Sequence, residues 1–316
     1  MITLPYERSP IAKAVTHLHY EFAYDEVLLP YQKYWIEDES SLKICEKSRR
    51  TGVTWAEACD ASLTTSKTKA AGGCNHFYVG SNKEMAREFI DAVAMWAKAF
   101  DKAAGDICEE VIEDEDKDIL TFVIYFASGF KVQALSSNPS NLRGMQGNVT
   151  IDEAAFHDRL AEVLKAALAL TMWGSKVRLI STHNGSDNDF NELIQESRAG
   201  KKDYSVHTIT LSDACADGLY KRICQVSGQE WSQEKEEAWI AGLLKATKTE
   251  DDALEEYFCV PKSGSGVYIP RSYRERAAVL PNKVVAYTGT QVFNNLSERL
   301  RELEMHEWLE LNVKPL

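Results

Sequence analysis

The sequence predicts an α/β protein: a mostly parallel sheet covered by helices on both faces, with a small C-terminal appendage. Three observations carry this. Short apolar runs alternate with segments whose apolar spacing is near 3.6, as repeated strand and helix units require. Asn148 to Ile151 is apolar and too short for a helix, which suits a central strand buried on both faces. After Pro261 the texture changes, and Lys262-Ser-Gly-Ser-Gly266 reads as a linker.

Taken in order, Ile44 begins a short strand that runs into a tight loop ending Gly52-Val-Thr54 at a helix start. His76 to Gly80 reads as a strand and Asn82 to Phe100 as an amphipathic helix. Ile119 to Ser136 alternates about Ser128-Gly129 and reads as a hairpin inserted before the Asn148 strand. Leu160 to Met172 is a helix, Lys176 to Ile180 a strand, Asp189 to Arg198 a helix, and Ser205 to Leu211 a strand. Trp231 to Ala246 and Glu250 to Phe258 give two more helices. The tail holds one strand near Val284 to Tyr287 and one helix from Val292 to Leu311. The domains drawn on this basis are 1–261 and 262–316.

Composition sets further bounds. No apolar run approaches the roughly 18 residues of a membrane span, and no signal-peptide pattern precedes the first element, so a cytoplasmic protein is expected. The seven cysteines are odd in number and form no C-x-x-C pair, against a disulfide framework or zinc site. The net charge of −12 argues against a stable, high-affinity nucleic-acid binder. Acid is concentrated in Glu109–Asp118 and about Glu250–Glu256, leaving Lys47–Arg50 and Arg271–Arg276 as basic clusters.

The chemistry-bearing stretch is Ile44-Cys-Glu-Lys-Ser-Arg-Arg-Thr-Gly-Val-Thr-Trp55, followed far downstream by Gly147-Asn-Val-Thr-Ile-Asp-Glu-Ala-Ala-Phe156. In a phosphate-binding loop of the form G-x-x-x-x-G-K-[ST], backbone N–H groups cradle phosphates, a lysine neutralises charge, and the hydroxyl holds Mg²⁺. Here Val53 stands where the lysine belongs, and Lys47 stands at the head of the loop. A lysine anchored at the strand end reaches over the loop on its long stem. Asp152, at the carboxyl end of its strand, sits where open α/β sheets bind ligands and is placed to hold Mg²⁺. The adjacent Glu153 is placed to polarise a water. The bland reading is a surface turn with a chance basic cluster, and an Asp-Glu pair that only starts a helix.

These motifs resemble those of the ATPase half of the large terminase subunit of tailed bacteriophages, most closely its Mu-like branch. Lys47-Ser-Arg-Arg-Thr-Gly-Val-Thr54 matches the family's lysine-first loop, and Tyr31-Gln-Lys-Tyr-Trp35 matches its upstream glutamine. Asn141-Leu-Arg-Gly-Met-Gln-Gly-Asn148 matches a basic loop, Leu179-Ile-Ser-Thr-His-Asn-Gly185 a coupling motif, and Leu254-Glu-Glu-Tyr-Phe-Cys-Val-Pro261 the segment closing the domain. The resemblance covers about residues 28 to 280. It implies a P-loop NTPase of the ASCE type that hydrolyses ATP with Mg²⁺ to drive double-stranded DNA into a procapsid. The implied partners are DNA, a portal protein, a small terminase subunit and a homo-oligomeric ring on the portal, in the host cytoplasm and away from membranes.

On this resemblance Thr54 and Asp152 hold Mg²⁺, and Glu153, Lys47 and Arg50 are catalytic. Gln32 reads adenine, and Lys47, Ser48, Arg49, Arg50, Thr51, Gly52, Val53, Thr54 and Thr182 bind the nucleotide. Either Arg49 or Arg50, or a neighbour's arginine, stabilises transition-state charge. Tyr31, Tyr34 and Trp35 are either core or pocket walls, Arg143 is either solvated or touches phosphate, and Ser181-Thr182 either caps a helix or senses the γ-phosphate. His183 is assigned no chemical role. Two other classes stay open: another P-loop ATPase such as a helicase or remodeller, and a silent packaging scaffold in which Val53 marks a dead loop. The tail glutamates Glu298, Glu302, Glu304, Glu307 and Glu310, interleaved with Arg299 and Arg301, read as a surface helix with ion pairs. Nuclease activity is therefore not expected from this chain.

Overall fold

A computed structural model of the chain describes residues 27–100, 122–262 and 287–312. The chain divides into two units, Met1–Ser265 and Gly266–Leu316. The acidic run Glu109–Asp118, the basic cluster Arg271–Arg276, most of the linker and the expected strand residues Val284–Ala286 lie outside the described residues.

The first unit holds α1 (Pro30–Glu37), β1 (Leu42–Lys47), α2 (Val53–Ser66), β2 (His76–Val79), α3 (Lys83–Ala99), β3 (Phe122–Tyr125), β4 (Lys131–Leu135) and β5 (Asn148–Asp152). Then follow α4 (Leu160–Leu168), β6 (Val177–Ser181), α5 (Asp189–Arg198), β7 (Ser205–Ile209), α6 (Leu211–Ala216), α7 (Leu219–Val226), α8 (Gln233–Ala246) and α9 (Glu250–Phe258). The seven strands form one sheet in the order β3-β4-β2-β5-β6-β1-β7. Every neighbouring pair is parallel except β3–β4, the expected hairpin.

Side-chain alternation along the strands builds the two faces. Phe77, Val79, Val149, Ile151, Val177 and Leu179 pack against Leu160, Val163 and Leu164 of α4 and Phe190 and Ile194 of α5. On the opposite face Tyr78, Ile124, Val132 and Ala134 meet Ala58 and Ala61 of α2 and Phe89, Val93 and Trp96 of α3. A third cluster joins α1 to α6–α8 through Trp35, Val53, Ile180, Ile209, Leu211 and Ile240.

Several boundaries differ from the sequence expectations. The helix from Leu160 tightens into a 3₁₀ segment over Ala169–Trp173. The last strand stops at Ile209, because Thr210 caps α6: its hydroxyl accepts from Asp213 N, and the Asp213 carboxylate accepts from Thr210 N. This reciprocal cap, Thr210-Leu-Ser-Asp213, starts a helix where apolar residues alone read as strand. In the second unit the expected single helix is two, α10 (Gln291–Asn294) and α11 (Glu298–Asn312). The break falls at Asn295-Leu296-Ser297, where the polar side chains favour caps and turns over helix interior. No helix among the described residues is long and apolar enough to cross a membrane. The six described cysteines are free.

A histidine lies deep in the sheet. His76 is fully buried on β2, and its Nε2 lies 3.0 Å from Thr150 Oγ1. Burial, with the nearby Arg178 cation, pushes its pKa down to about 3. Because the folded value lies below the ordinary 6.5, the unfolded chain binds the extra proton between the two. Stability from this group is complete above pH 6.5 and is lost as pH falls towards 3, by up to about 1.4 kcal/mol per pH unit. Urea midpoints measured from pH 7 to 4 are expected to fall more steeply for wild type than for His76→Gln; parallel curves contradict this.

Candidate active site

The loop after β1 is shaped by its backbone. Ser48 N donates to Ile209 O at 2.6 Å, and Thr51 Oγ1 donates to Ser48 O at 3.0 Å. Arg50 and Gly52 have φ of 59° and 72°. Gly52 caps α2 in that left-handed conformation, and a Cβ there would meet Gln32 Nε2 at 2.9 Å. Glycine satisfies both demands, since it tolerates positive φ and the close approach.

The segment Tyr31–Trp35 clamps this loop from behind. The Gln32 Oε1 accepts from Leu29 N at 2.9 Å, while its Nε2 donates to Gly52 O at 3.0 Å and Thr51 O at 3.3 Å. Tyr31 OH donates to Thr51 O at 2.5 Å. Tyr31 and Trp35 are core residues, whereas Tyr34 is exposed. Gln32 therefore lies outside the cavity lining, with both ends of its amide held by backbone.

Across the loop stands the carboxyl end of β5. Asp152 is buried, and its Oδ2 accepts from Thr54 Oγ1 at 2.9 Å and from Tyr78 OH at 2.7 Å. Burial, reinforced by the Glu153 carboxylate, raises its pKa to about 6 against the pull of Lys47 and these hydrogen bonds. Glu153 adopts a left-handed φ of 49°, which turns its side chain back over the loop. Its Oε1 lies 3.1 Å from Lys47 Nζ, and its Oε2 accepts from Ser181 Oγ at 3.4 Å. Burial works against the Lys47 charge, but Glu153 and Asp152 outweigh it and hold the ammonium above its ordinary range.

Lys47, Thr54, Asp152, Glu153 and Thr182 thus share one cavity of about 680 Å³. Arg49, Arg50, Thr51, Gly52 and Val53 line it as well, so the structure brings together every candidate loop residue but Ser48. Ser48 is fully buried, and its hydroxyl has no hydrogen-bond partner among the described residues. Arg49 is drawn aside: its Nη1 lies 3.2 Å from Glu256 Oε2, and its N donates to Glu256 O at 2.9 Å. His183 is structural in its contacts, with Nε2 2.9 Å from Glu46 Oε2, which also accepts from Arg198 and Thr208 through Oε1. Arg143 is exposed and lines a separate cavity with Met145 and Trp173.

Two contributors escape a linear reading. Tyr78 looks like a core aromatic, and only the pairing of Tyr78 with Thr150 sets its phenol against Asp152. Glu256 looks like part of a solvated acidic run, yet the C-terminal turn of α9 reaches the loop. Tyr78→Phe tests the first contact. Hydrogen bonds to charged groups contribute about 1.5–3 kcal/mol. The raised Asp152 pKa means that stability from this carboxyl is present below pH 3.8 and is lost as pH rises through about 6. Losing the phenol donor is therefore expected to destabilise the chain by that amount at pH 8 and by less at pH 5. Equal losses in urea unfolding at both values contradict the assignment.

Residues 44–276 match the family described as terminase large subunit, T4likevirus-type, N-terminal. The chain is 73% identical over 252 residues to the Mu-like prophage FluMu protein gp28 of Haemophilus influenzae, covering 80% of this chain and 50% of that protein. It is 52% identical over 299 residues to the probable terminase, large subunit gp28 of Escherichia phage Mu, covering 92% of this chain and 54% of that one. The chain spans about half the length of these relatives. A large terminase from a thermophilic bacteriophage, solved in complex with ADP, superposes with a TM-score of 0.52 over 74% of this chain and 52% of that one. At 13% identity that likeness shows the fold. With a family match over most of its length and two close relatives, this chain belongs to the terminase large subunit family.

Proposed function

We propose that this chain is the ATP-hydrolysing motor domain of a phage terminase large subunit, driving double-stranded DNA into a procapsid. The observation that carries the reading is the convergence of Lys47, Thr54, Asp152 and Glu153 on one cavity at the carboxyl ends of β1 and β5. The donor set fits Mg²⁺, which takes one or two protein oxygens and completes its shell with phosphates and water. Thr54 Oγ1 and Asp152 Oδ2 would be those two oxygens. Bound Mg²⁺ and ATP supply the γ-phosphoryl group and neutralise its developing charge.

The chain's own residues divide the remaining work. Lys47 exchanges Glu153 for the β- and γ-phosphates, and the backbone from Ser48 to Val53 cradles them. Freed from Lys47, Glu153 accepts a proton from the attacking water. Arg50 lies on the cavity wall for transition-state charge, and Thr182 follows Ser181, which contacts Glu153. Adenine recognition by Gln32 requires its amide to trade a backbone partner for the base. The proposed setting is the host cytoplasm, with DNA, a portal protein, a small terminase subunit and further copies in a ring.

Substitution separates these roles. Lys47→Ala is expected to abolish ATP turnover, whereas Val53→Ala leaves it nearly unchanged. Glu153→Gln is expected to keep ATP affinity while turnover drops by about 10²–10⁴-fold. Steady-state phosphate release and nucleotide titration check all three. Full turnover in Lys47→Ala moves the phosphate contact to Arg49 or Arg50, and collapsed affinity in Glu153→Gln makes Glu153 a metal ligand.

A further inference from the structure

Beneath α2 the sheet carries a row of polar side chains where an apolar floor is the norm for a parallel sheet. Thr150 of β5, Arg178 of β6 and Lys43 of β1 stand side by side, because Thr150 pairs with Arg178 and Lys43 pairs with Arg178. All three are essentially buried, as is Glu57 above them. Glu57 Oε1 accepts from Thr150 Oγ1 at 2.6 Å and lies 3.3 Å from Arg178 Nε, while Oε2 accepts from Trp35 Nε1 at 2.7 Å. His76 Nε2, on the next strand, lies 3.0 Å from the same Thr150 hydroxyl.

The placement of Glu57 bears on the cavity. Thr54 and Glu57 are three residues apart on α2 and share a face, while Thr150 and Asp152 are two apart on β5 and share a face. The helix and strand are therefore joined twice, by Thr54 to Asp152 at 2.9 Å and by Glu57 to Thr150 at 2.6 Å. These two ties lie about 5 Å apart along the axis and fix the helix's slide and rotation on β5, while Asp60 further along α2 accepts from Arg178 Nη2 of β6 at 2.6 Å. Apolar packing holds a helix down without choosing a register, since it is non-directional. A buried carboxylate is a costly way to anchor a helix, and its directional bonds are what it adds.

We propose that Glu57 and Thr150 are the positioning pair of this site: they set the register of α2 on β5 in which Thr54 and Asp152 face one cation. The inference rests on the Mg²⁺–nucleotide reading of the cavity. Neither residue lines that cavity, so both act through Thr54 and Asp152.

The test compares metal-dependent with metal-independent binding in the full chain. Calorimetric titration with the non-hydrolysable analogue adenylyl imidodiphosphate, in excess EDTA and in excess Mg²⁺, gives two Kd values and their ratio. Wild type is expected to bind more tightly with Mg²⁺. Thr150→Val, which keeps side-chain shape, and Glu57→Gln, which keeps hydrogen-bonding atoms, are expected to lower that gain about tenfold with little change in EDTA. Thr150→Ser, which retains the hydroxyl, is expected to behave as wild type. Folded Thr150→Val and Glu57→Gln with the wild-type ratio overturn the positioning role, as does a loss equal in EDTA and Mg²⁺. A wild type that binds no analogue in either condition overturns the proposed function itself.

Discussion

The first turn of α2 must lie against the carboxyl end of β5, and the hydrogen bond from Thr54 to Asp152 marks that contact. Around it the rest of the unit is arranged. Parallel pairing of β1 with β6, and of β6 with β5, brings the strand that ends in Lys47 and the strand that ends in Asp152 to one edge of the sheet. Gly52 permits the sharp entry into the helix, and Gln32 and Tyr31 hold the loop backbone from behind. The helix then reaches down to the sheet through Glu57.

Charge is handled locally. Lys47 is buried, and the half-buried Glu153 is its partner at 3.1 Å. The pair thus keeps a buried ammonium satisfied. Asp152 is held by three donors, the Thr54 and Tyr78 hydroxyls and the Glu153 N–H. Glu46, behind Lys47, is raised by burial but held below its ordinary range by His183, Arg198 and Thr208. That accounts for His183 without a chemical role: its ring pairs with a neighbour of the loop.

Much of this was legible in the sequence because the decisive signals are local. The order of strands and helices follows from periodicity, and the hairpin about Ser128-Gly129 stands where alternation placed it. Lys47 at the loop head and the Asp152–Glu153 pair were legible because each follows directly from a short strand. What failed to show depends on register between distant segments. Tyr78 reaches Asp152 through pairing of β2 with β5, and Glu256 reaches Arg49 because the chain returns over two hundred residues later. The sequence singled out Gln32 for adenine, while its hold on the loop backbone did not show, since backbone partners leave no trace in side-chain patterns. The tail helix was misread because its apolar spacing continues through Asn295–Ser297, where the backbone turns.

The proposed phosphate contact, displaced from Val53, falls to Lys47, which rests against Glu153. A crystal structure of the chain with Mg²⁺ and a non-hydrolysable ATP analogue tests it most directly. The account predicts that Lys47 Nζ leaves Glu153 and lies within about 3 Å of a β- or γ-phosphate oxygen, with Thr54 and Asp152 on the cation. A structure in which the Lys47–Glu153 pair persists while Arg49 or Arg50 holds the phosphates contradicts it.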